Sequence, residues 1–493
     1  MLEWLFSGFK NIYAQLGEVS GIGATCHLLR ICGKTILIDF GVSISRNGEF
    51  QVQGYPAGDF LIGRHIDLII ITHAHLDHFG ALPRLVRHHP ESKIIMSRLA
   101  SDPIAYALGD SLKIMSEEWN KSRRLGVEIG EPLFTYSDLA DLLQSDSVIC
   151  VDLPSWLGNK NPESVLGDGW AGWQIGFDDS GHDIGAMMIL ITDPNKQNYF
   201  FTGDVCSHDQ IFVQGVMLPD RSFCGDFFDH PGLVMITEAT NGGKPMVQTP
   251  DQAIGQLGRK LEEVEVRGGS VLIAAFSKNR CSKIALACIE LGYVPFVDGS
   301  GRTMMRFELG EDRVDLLIKS GKLIFADEDR KHPEIAQEQR RALLNDELGF
   351  HPIIAPSGTF EGGYSVNWAK DLLPNPKNAV IFPGYVFPAS VSKQVLEMEK
   401  GRTISLNVFS PKLRKPVPTP VNVRCEVCHF DGFTSHDYQD GLVERVRLAK
   451  PAMLIVHHCP GEESFNAFSA KVAELPNPPT VIWGQHQTVV ELR

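Results

Sequence analysis

Leu68-Ile69-Ile70-Ile71-Thr72-His73-Ala74-His75-Leu76-Asp77-His78-Phe79-Gly80 is the stretch that decides the reading of this chain. The run Leu68 to Ile71 is apolar and mostly β-branched, which predicts a buried strand. It stops at a turn that gathers three histidines and an aspartate, His73, His75, Asp77 and His78. Imidazole and carboxylate are donors that suit zinc and its neighbours in the first transition row. His73 and His75 are two apart, so in an extended segment they point the same way. Asp77 and His78 come where the chain must turn into a helix, predicted over residues 81–87. One loop can in this way feed two metals. A chance cluster of surface histidines would not be expected at the end of a buried strand.

Further donors stand at the ends of other apolar runs. His182 lies in Ser180-Gly181-His182-Asp183, and Asp204 ends Tyr199-Phe200-Phe201-Thr202-Gly203-Asp204. Glu238 ends Val234-Met235-Ile236-Thr237-Glu238. His436 follows Phe433-Thr434-Ser435, and His457-His458 ends Met453-Leu454-Ile455-Val456.

In this order the motifs resemble the β-CASP family of metallo-β-lactamase-fold nucleases, with His73-x-His75-x-Asp77-His78 as its HxHxDH signature. Asp39-Phe40-Gly41 resembles the Asp-x-Gly that borders the metal loop in that fold. The resemblance implies an α/β chain: a metallo-β-lactamase αββα sandwich with an inserted parallel-sheet β-CASP domain. Residues 1–240 and 402–493 would form the first domain and 241–401 the insert. It also implies a metal held by His73, His75, His182 and Asp204, and a second held by Asp77, His78, Asp204 and His457. The metals implied are two Zn2+, with Mn2+ able to serve the same donors. Glu238 and His436 resemble motifs A and B, with His436 at the scissile phosphate or leaving oxygen and Glu238 holding its other ring nitrogen. Asp77 could also orient, or accept a proton from, the attacking water.

At motif C the family text is Val-His-Gly-Glu. Here His458-Cys459-Pro460 intervenes before Gly461-Glu462. That leaves His457 or His458 as the motif histidine, and His457, directly after the apolar run, is the expectation. RNA-directed members, the RNase J type and the endonuclease subunit of the cleavage and polyadenylation specificity factor, carry histidine there, and Artemis-type DNA nucleases an apolar residue. The implied activity is RNA phosphodiester hydrolysis, with internal cutting favoured slightly over a 5′ exonuclease. The alternatives are an inactive RNA-binding or scaffold protein, a DNA nuclease and a small-molecule hydrolase of the same fold.

The insert reads as strands alternating with helices, the pattern of a parallel sheet. A helix is predicted over residues 251–265 and strands at 269–276, 293–298, 352–358 and 379–385. Lys278 and Arg280, between a strand and a helix start, are candidate phosphate contacts, as is Ser357. Residues 421–427 alternate as one strand. Cys425-x-x-Cys428-His429 matches the c-type haem attachment pattern, but it falls on that strand and nothing in the sequence suggests export.

Length and composition set the remaining bounds. The chain has 493 residues, 43% hydrophobic and 22% charged, which is ordinary for globular domains. No apolar run approaches the ~20 residues that span a bilayer. The start, Met1 to Ser7, lacks a basic n-region, so a cytoplasmic location with no membrane contact is expected. The ten cysteines are scattered through apolar runs, as reduced core thiols are. The net charge of −14 excludes a general polyanion binder. Residues 241–401 hold 20 Lys+Arg and 21 Asp+Glu, the remainder 26 and 39. RNA must therefore be held by particular basic residues and metals and not by a broad field. No RNA-binding appendage is recognisable, which leaves targeting to a homodimer or to partner proteins.

Overall fold

The computed structural model describes residues 11–17, 22–47, 50–56, 58–327, 333–387, 390–410, 413 and 415–492. The Met1-to-Ser7 start lies outside them. The chain divides into two compact units: 1–209, 213–246 and 435–493 form the first, 210–212 and 247–434 the second.

The first unit is built on two seven-stranded sheets. In one, Leu68–Ile70 lies between Lys34–Ile38 and Lys93–Ser97, parallel to both. It is buried on both faces, which is why the sequence there is a continuous apolar run and not an alternation. In the other, Asn198–Phe201, Val234–Glu238 and Met453–His457 lie side by side and parallel. Alternate side chains of the two sheets meet in a shared core: Ile36, Ile38, Leu68 and Ile70 from one, Phe177, Ile189, Ile236 and Ile455 from the other. The opposite faces are covered by helices. Ile104, Leu108 and Leu112 of Arg98–Leu125 pack on Leu37 and Ile69. Leu442, Val446, Phe468 and Val472 pack on Met235, Leu454 and Val456. The αββα layering expected from the resemblance is what forms.

The second unit has a six-stranded, wholly parallel sheet. Helices cover both faces, among them Pro250–Val266, Arg280–Glu290 and Tyr364–Leu372. The first of these starts where a capping box joins Thr249 to Gln252 and proline follows the cap.

Two expectations change. The return to the first unit falls after residue 434, not after 401. Residues 421–427 are also not one strand: Lys415–Asn422 pairs with Thr403–Ser410 in a hairpin, and Glu426–Phe430 starts afresh. That last strand adds to the parallel sheet beside Ala379–Pro383, in the register Ala379↔Glu426, which holds it in the second unit. Alternation along a strand reports which side chains share a face; it does not report which sheet the strand joins.

The segment that re-enters the first unit is tied down by a buried ion pair. Arg445 is fully buried; its Nη2 donates to Asp437 Oδ2 at 2.7 Å and to the Val216 carbonyl at 3.0 Å, and its Nη1 donates to the Met217 carbonyl. Asp437 Oδ1 accepts from the Ser207 amide and hydroxyl, each at 2.7 Å. Arg445→Met strands that carboxylate in the interior without its cation. A loss of about 3–5 kcal/mol is expected, read as a lowered midpoint in urea unfolding.

Candidate metal centre

The loop after Leu68–Ile70 is fixed by backbone contacts with the segment 39–42. Phe40 N donates to the His78 carbonyl at 2.7 Å and Val42 N to the Leu76 carbonyl at 2.9 Å, while Thr25 N donates to the Asp77 carbonyl at 2.8 Å. Gly41 is required here: a Cβ on it would lie 1.6 Å from the Asp77 carbonyl oxygen. Asp39 ties the loop to the sheet. Its Oδ1 accepts from Thr72 N at 2.8 Å, and its Oδ2 meets Thr72 Oγ1 and His78 Nδ1, each at 2.7 Å.

Four side chains converge from three strand ends. His73 Nε2 is 3.0 Å from His75 Nδ1, and His75 Nδ1 is 3.1 Å from His182 Nε2. Asp204 Oδ2 lies 3.5 Å from His73 Nε2 and 3.8 Å from His182 Nε2. Zinc bonds of ~2.0–2.1 Å in a tetrahedron set donor–donor edges of about 3.3 Å, so the spacing fits. A second group comprises Asp77, His78 and His458. Asp77 Oδ2 is 3.2 Å from His458 Nε2 and 3.9 Å from His78 Nε2. Asp204 Oδ2 also reaches His78 Nε2, at 3.4 Å, so one carboxylate is shared by both groups.

Hydrogen bonding does not account for this packing. Three imidazole nitrogens meet around His75 Nδ1, and each can carry at most one proton. Asp204 Oδ1 is buried without a hydrogen-bond partner, a costly state. The electrostatics also suit a cation. Burial and then the adjacent imidazoles push His73 and His182 well below the ordinary histidine range, leaving their lone pairs available. Burial alone would depress His458 as well, but the Asp204 and Asp77 carboxylates outweigh it and push it up to about 10. That group is poised to exchange a proton for a metal ion. The donors fit divalent cations: His73, His75, His182 and Asp204 for one, Asp77, His78 and His458, with Asp204 shared, for the other.

His457 is not in the cluster. It ends Met453–His457 on the inward-facing alternation of Ile455, and its ring packs edge-on against His27, centroids 4.4 Å apart. His27 is itself a core histidine, buried and bonded to the Tyr13 hydroxyl. His458 takes the next position with φ 46°, a left-handed turn that brings its ring to Asp77 and to Thr240 Oγ1, 2.8 Å from Nδ1. The expectation of His457 is thus corrected by one residue. His458→Ala should cut bound transition metal from two towards one per chain. His457→Ala should cost stability and leave the metal content unchanged. Elemental analysis of both purified variants decides it.

His436 and Glu238 meet as expected, Nδ1 to Oε1 at 2.8 Å. Glu238 is fully buried and is fixed by the amides of Val205 and Thr240, at 3.1 and 2.9 Å. Burial alone would depress the His436 pKa; the Glu238 carboxylate outweighs it and holds the imidazole above its ordinary range. The ring centroid is 4.6 Å from that of His182, so His436 borders the metal-ligand group.

Lys278, Arg280 and Ser357 lie in the second unit. Lys278 is buried, its Nζ 3.9 Å from Glu308 Oε1, and is not on a solvated helix start. Arg280 opens its helix with its guanidinium against Gly384. Ser357 follows the strand Ile353–Ala355, and its hydroxyl meets Thr359 Oγ1 at 2.7 Å. No described helix is long and apolar enough to cross a membrane.

Comparison with known proteins bears on the two domains. Residues 20–133 match the model of the Metallo-beta-lactamase superfamily, and residues 296–395 that of the Beta-Casp domain. A probable RNase MJ4 of Methanocaldococcus jannaschii is 26% identical over 451 residues, 91% of this chain and 92% of the relative. The transcription termination factor FttA of the same organism is 26% identical, with 91% of this chain and 66% of the relative covered. Endoribonuclease YSH1 of Saccharomyces cerevisiae is 24% identical, with 90% and 54% covered, so this chain spans about half of that protein. A crystal structure of a protein of unknown function from Enterococcus faecalis superposes with a TM-score of 0.57 at 13% identity, covering 98% of this chain and all of the other, a likeness of fold alone. The chain joins a metallo-β-lactamase domain to a Beta-Casp domain and is homologous to RNase MJ4, FttA and YSH1 over about nine-tenths of its length.

Proposed function

We propose that the protein is a metal-dependent ribonuclease that cuts RNA internally, with two zinc ions as cofactor. The observation that carries this reading is the pair of donor groups sharing Asp204, with the His436–Glu238 pair beside them. Bound there, two divalent ions supply a water of lowered pKa and neutralise charge on a phosphate. The chain's own groups do the rest. Asp77, partly exposed at the edge of the cluster, orients the attacking water and accepts its proton. His436, whose protonated form the Glu238 carboxylate favours, donates to the scissile phosphate or to the leaving oxygen. Lys278, Arg280 and Ser357 are proposed phosphate contacts. RNA is favoured over DNA by the histidine at motif C, now His458, and by relatives named RNase and endoribonuclease. The complete donor set weighs against an inactive scaffold. A cytoplasmic location is supported by ten cysteines that are all thiols.

The test is cleavage of matched single-stranded RNA and DNA, 5′-labelled, each with a 5′-phosphate or a 5′-hydroxyl. RNA fragments of several lengths from either end group, with DNA cut far more slowly, are expected; the 2′-hydroxyl is what separates the two. Mononucleotides released only from 5′-phosphate RNA would establish a 5′ exonuclease. Intact RNA alongside hydrolysis of a small ester or lactam would overturn the nuclease reading.

A further inference from the structure

Each imidazole that turns one nitrogen into the cluster has a group of the chain against its other nitrogen. His73 Nδ1 is 3.0 Å from Thr72 Oγ1, and His182 Nδ1 is 2.8 Å from the Ser435 carbonyl. His78 Nδ1 meets Asp39 Oδ2 at 2.7 Å, and His458 Nδ1 meets Thr240 Oγ1 at 2.8 Å. His75 is turned the other way round. Its Nδ1 faces His73 and His182, and its Nε2 lies 3.9 Å from Asp183 Oδ2. Its side chain is 30% exposed, against 1% for His73 and His182, so packing alone holds it least.

Asp183 is the residue directly after His182, and its side chain is wholly buried. A carboxylate so placed is costly unless something polar answers it. Its position is set by the main chain of a closed loop. Ser180 N donates to the Ala186 carbonyl and Ala186 N to the Asp183 carbonyl, both at 3.0 Å. Cys206 N donates to the Ser180 carbonyl at 3.1 Å, and Ser97 Oγ to the Gly185 carbonyl at 2.5 Å. The loop is therefore pinned on both sides, and the carboxylate is presented to His75 by a fixed backbone.

We propose that Asp183 is a positioning residue for His75. Its carboxylate favours the tautomer with the proton on Nε2, which leaves the Nδ1 lone pair facing the cluster. At 3.9 Å the pair is beyond direct hydrogen-bond length, so the bias comes from the charge of the wholly buried carboxylate acting on the Nε2–H dipole. Outer partners of this kind fix ligand orientation and raise ligand basicity. This inference rests on the reading of the cluster as a divalent metal centre.

The test uses the full-length chain as wild type, Asp183→Asn and Asp183→Val. Zinc affinity is measured by competition with a chromophoric chelator, and the Co2+-substituted proteins are compared by visible absorption. The metal-free melting temperature of each is recorded beside them. Asparagine keeps the shape and removes the charge; valine removes both charge and polarity. In Asp183→Asn, one of the two bound equivalents is expected to weaken by about 10–100-fold, with the other unchanged and the Co2+ bands shifted. Asp183→Val should weaken that equivalent further. Wild-type affinity for both equivalents and an unaltered Co2+ spectrum in both variants would overturn the proposal. A lowered melting temperature with unchanged affinity would also overturn it, since Asp183 would then serve folding alone. A wild-type chain that binds no metal would instead fail the metal-centre reading itself.

Discussion

Asp204→Asn is expected to release metal from both groups and to reduce RNA cleavage by at least ~10³-fold, the equivalent of about 4 kcal/mol in the barrier. Asp204 is the carboxylate within 3.5 Å of both His73 Nε2 and His78 Nε2, one from each group. It is almost fully buried, and the imidazoles of His458, His78 and His73 hold its carboxyl well below the usual range against the pull of burial. The amide is nearly the same size but neutral, so it removes the anion that balances two cations while leaving the packing in place. Elemental analysis should fall from two metals towards none, with the folded chain retained. Two bound metals and undiminished cleavage in this variant would remove Asp204 from the centre.

His436→Ala should do the reverse: cleavage lost by about 10²–10⁴-fold, the usual worth of a general acid, with both metals still bound. His436 touches Glu238, borders His182 and groups with Glu238 and Asp204, but it belongs neither with His73, His75 and His182 nor with Asp77, His78 and His458. Glu238→Gln should reproduce part of the loss, because a neutral amide no longer favours the protonated ring. Single-turnover cleavage together with metal content separates the two roles. Loss of metal in His436→Ala would make His436 a ligand and not a proton donor.

The site is largely legible in the sequence because its donors fall at the ends of apolar runs. His73, His75, Asp77 and His78 arrive within six residues, and His182, Asp204 and Glu238 each close or follow a strand. The fold is legible for the same reason. Doubly buried parallel strands read as continuous apolar runs, and the helix Pro250–Val266 announces itself by Thr249 and Pro250. What the sequence hides is backbone conformation and sheet membership. His458 enters the site through a left-handed φ at a residue that is not glycine, and no local pattern marks such a position. The strand Glu426–Phe430 carries no sign that its partner is Ala379–Pro383. Lys278 reads as a candidate phosphate contact ahead of a helix start, yet it is buried near Glu308 from another helix. Asp183 stood beside a named ligand, but its direction towards His75 is a matter of tertiary geometry.

RNA hydrolysis by this chain is expected to depend on metal bound at these two donor groups. Zinc is titrated into the chelator-stripped full-length chain while cleavage of a 5′-labelled single-stranded RNA is followed, with metal content measured at each point. Cleavage absent from the stripped chain, returning in step with occupancy and complete at two zinc per chain, is the predicted result. Undiminished cleavage by the stripped chain, or saturation well below one metal per chain, would contradict it.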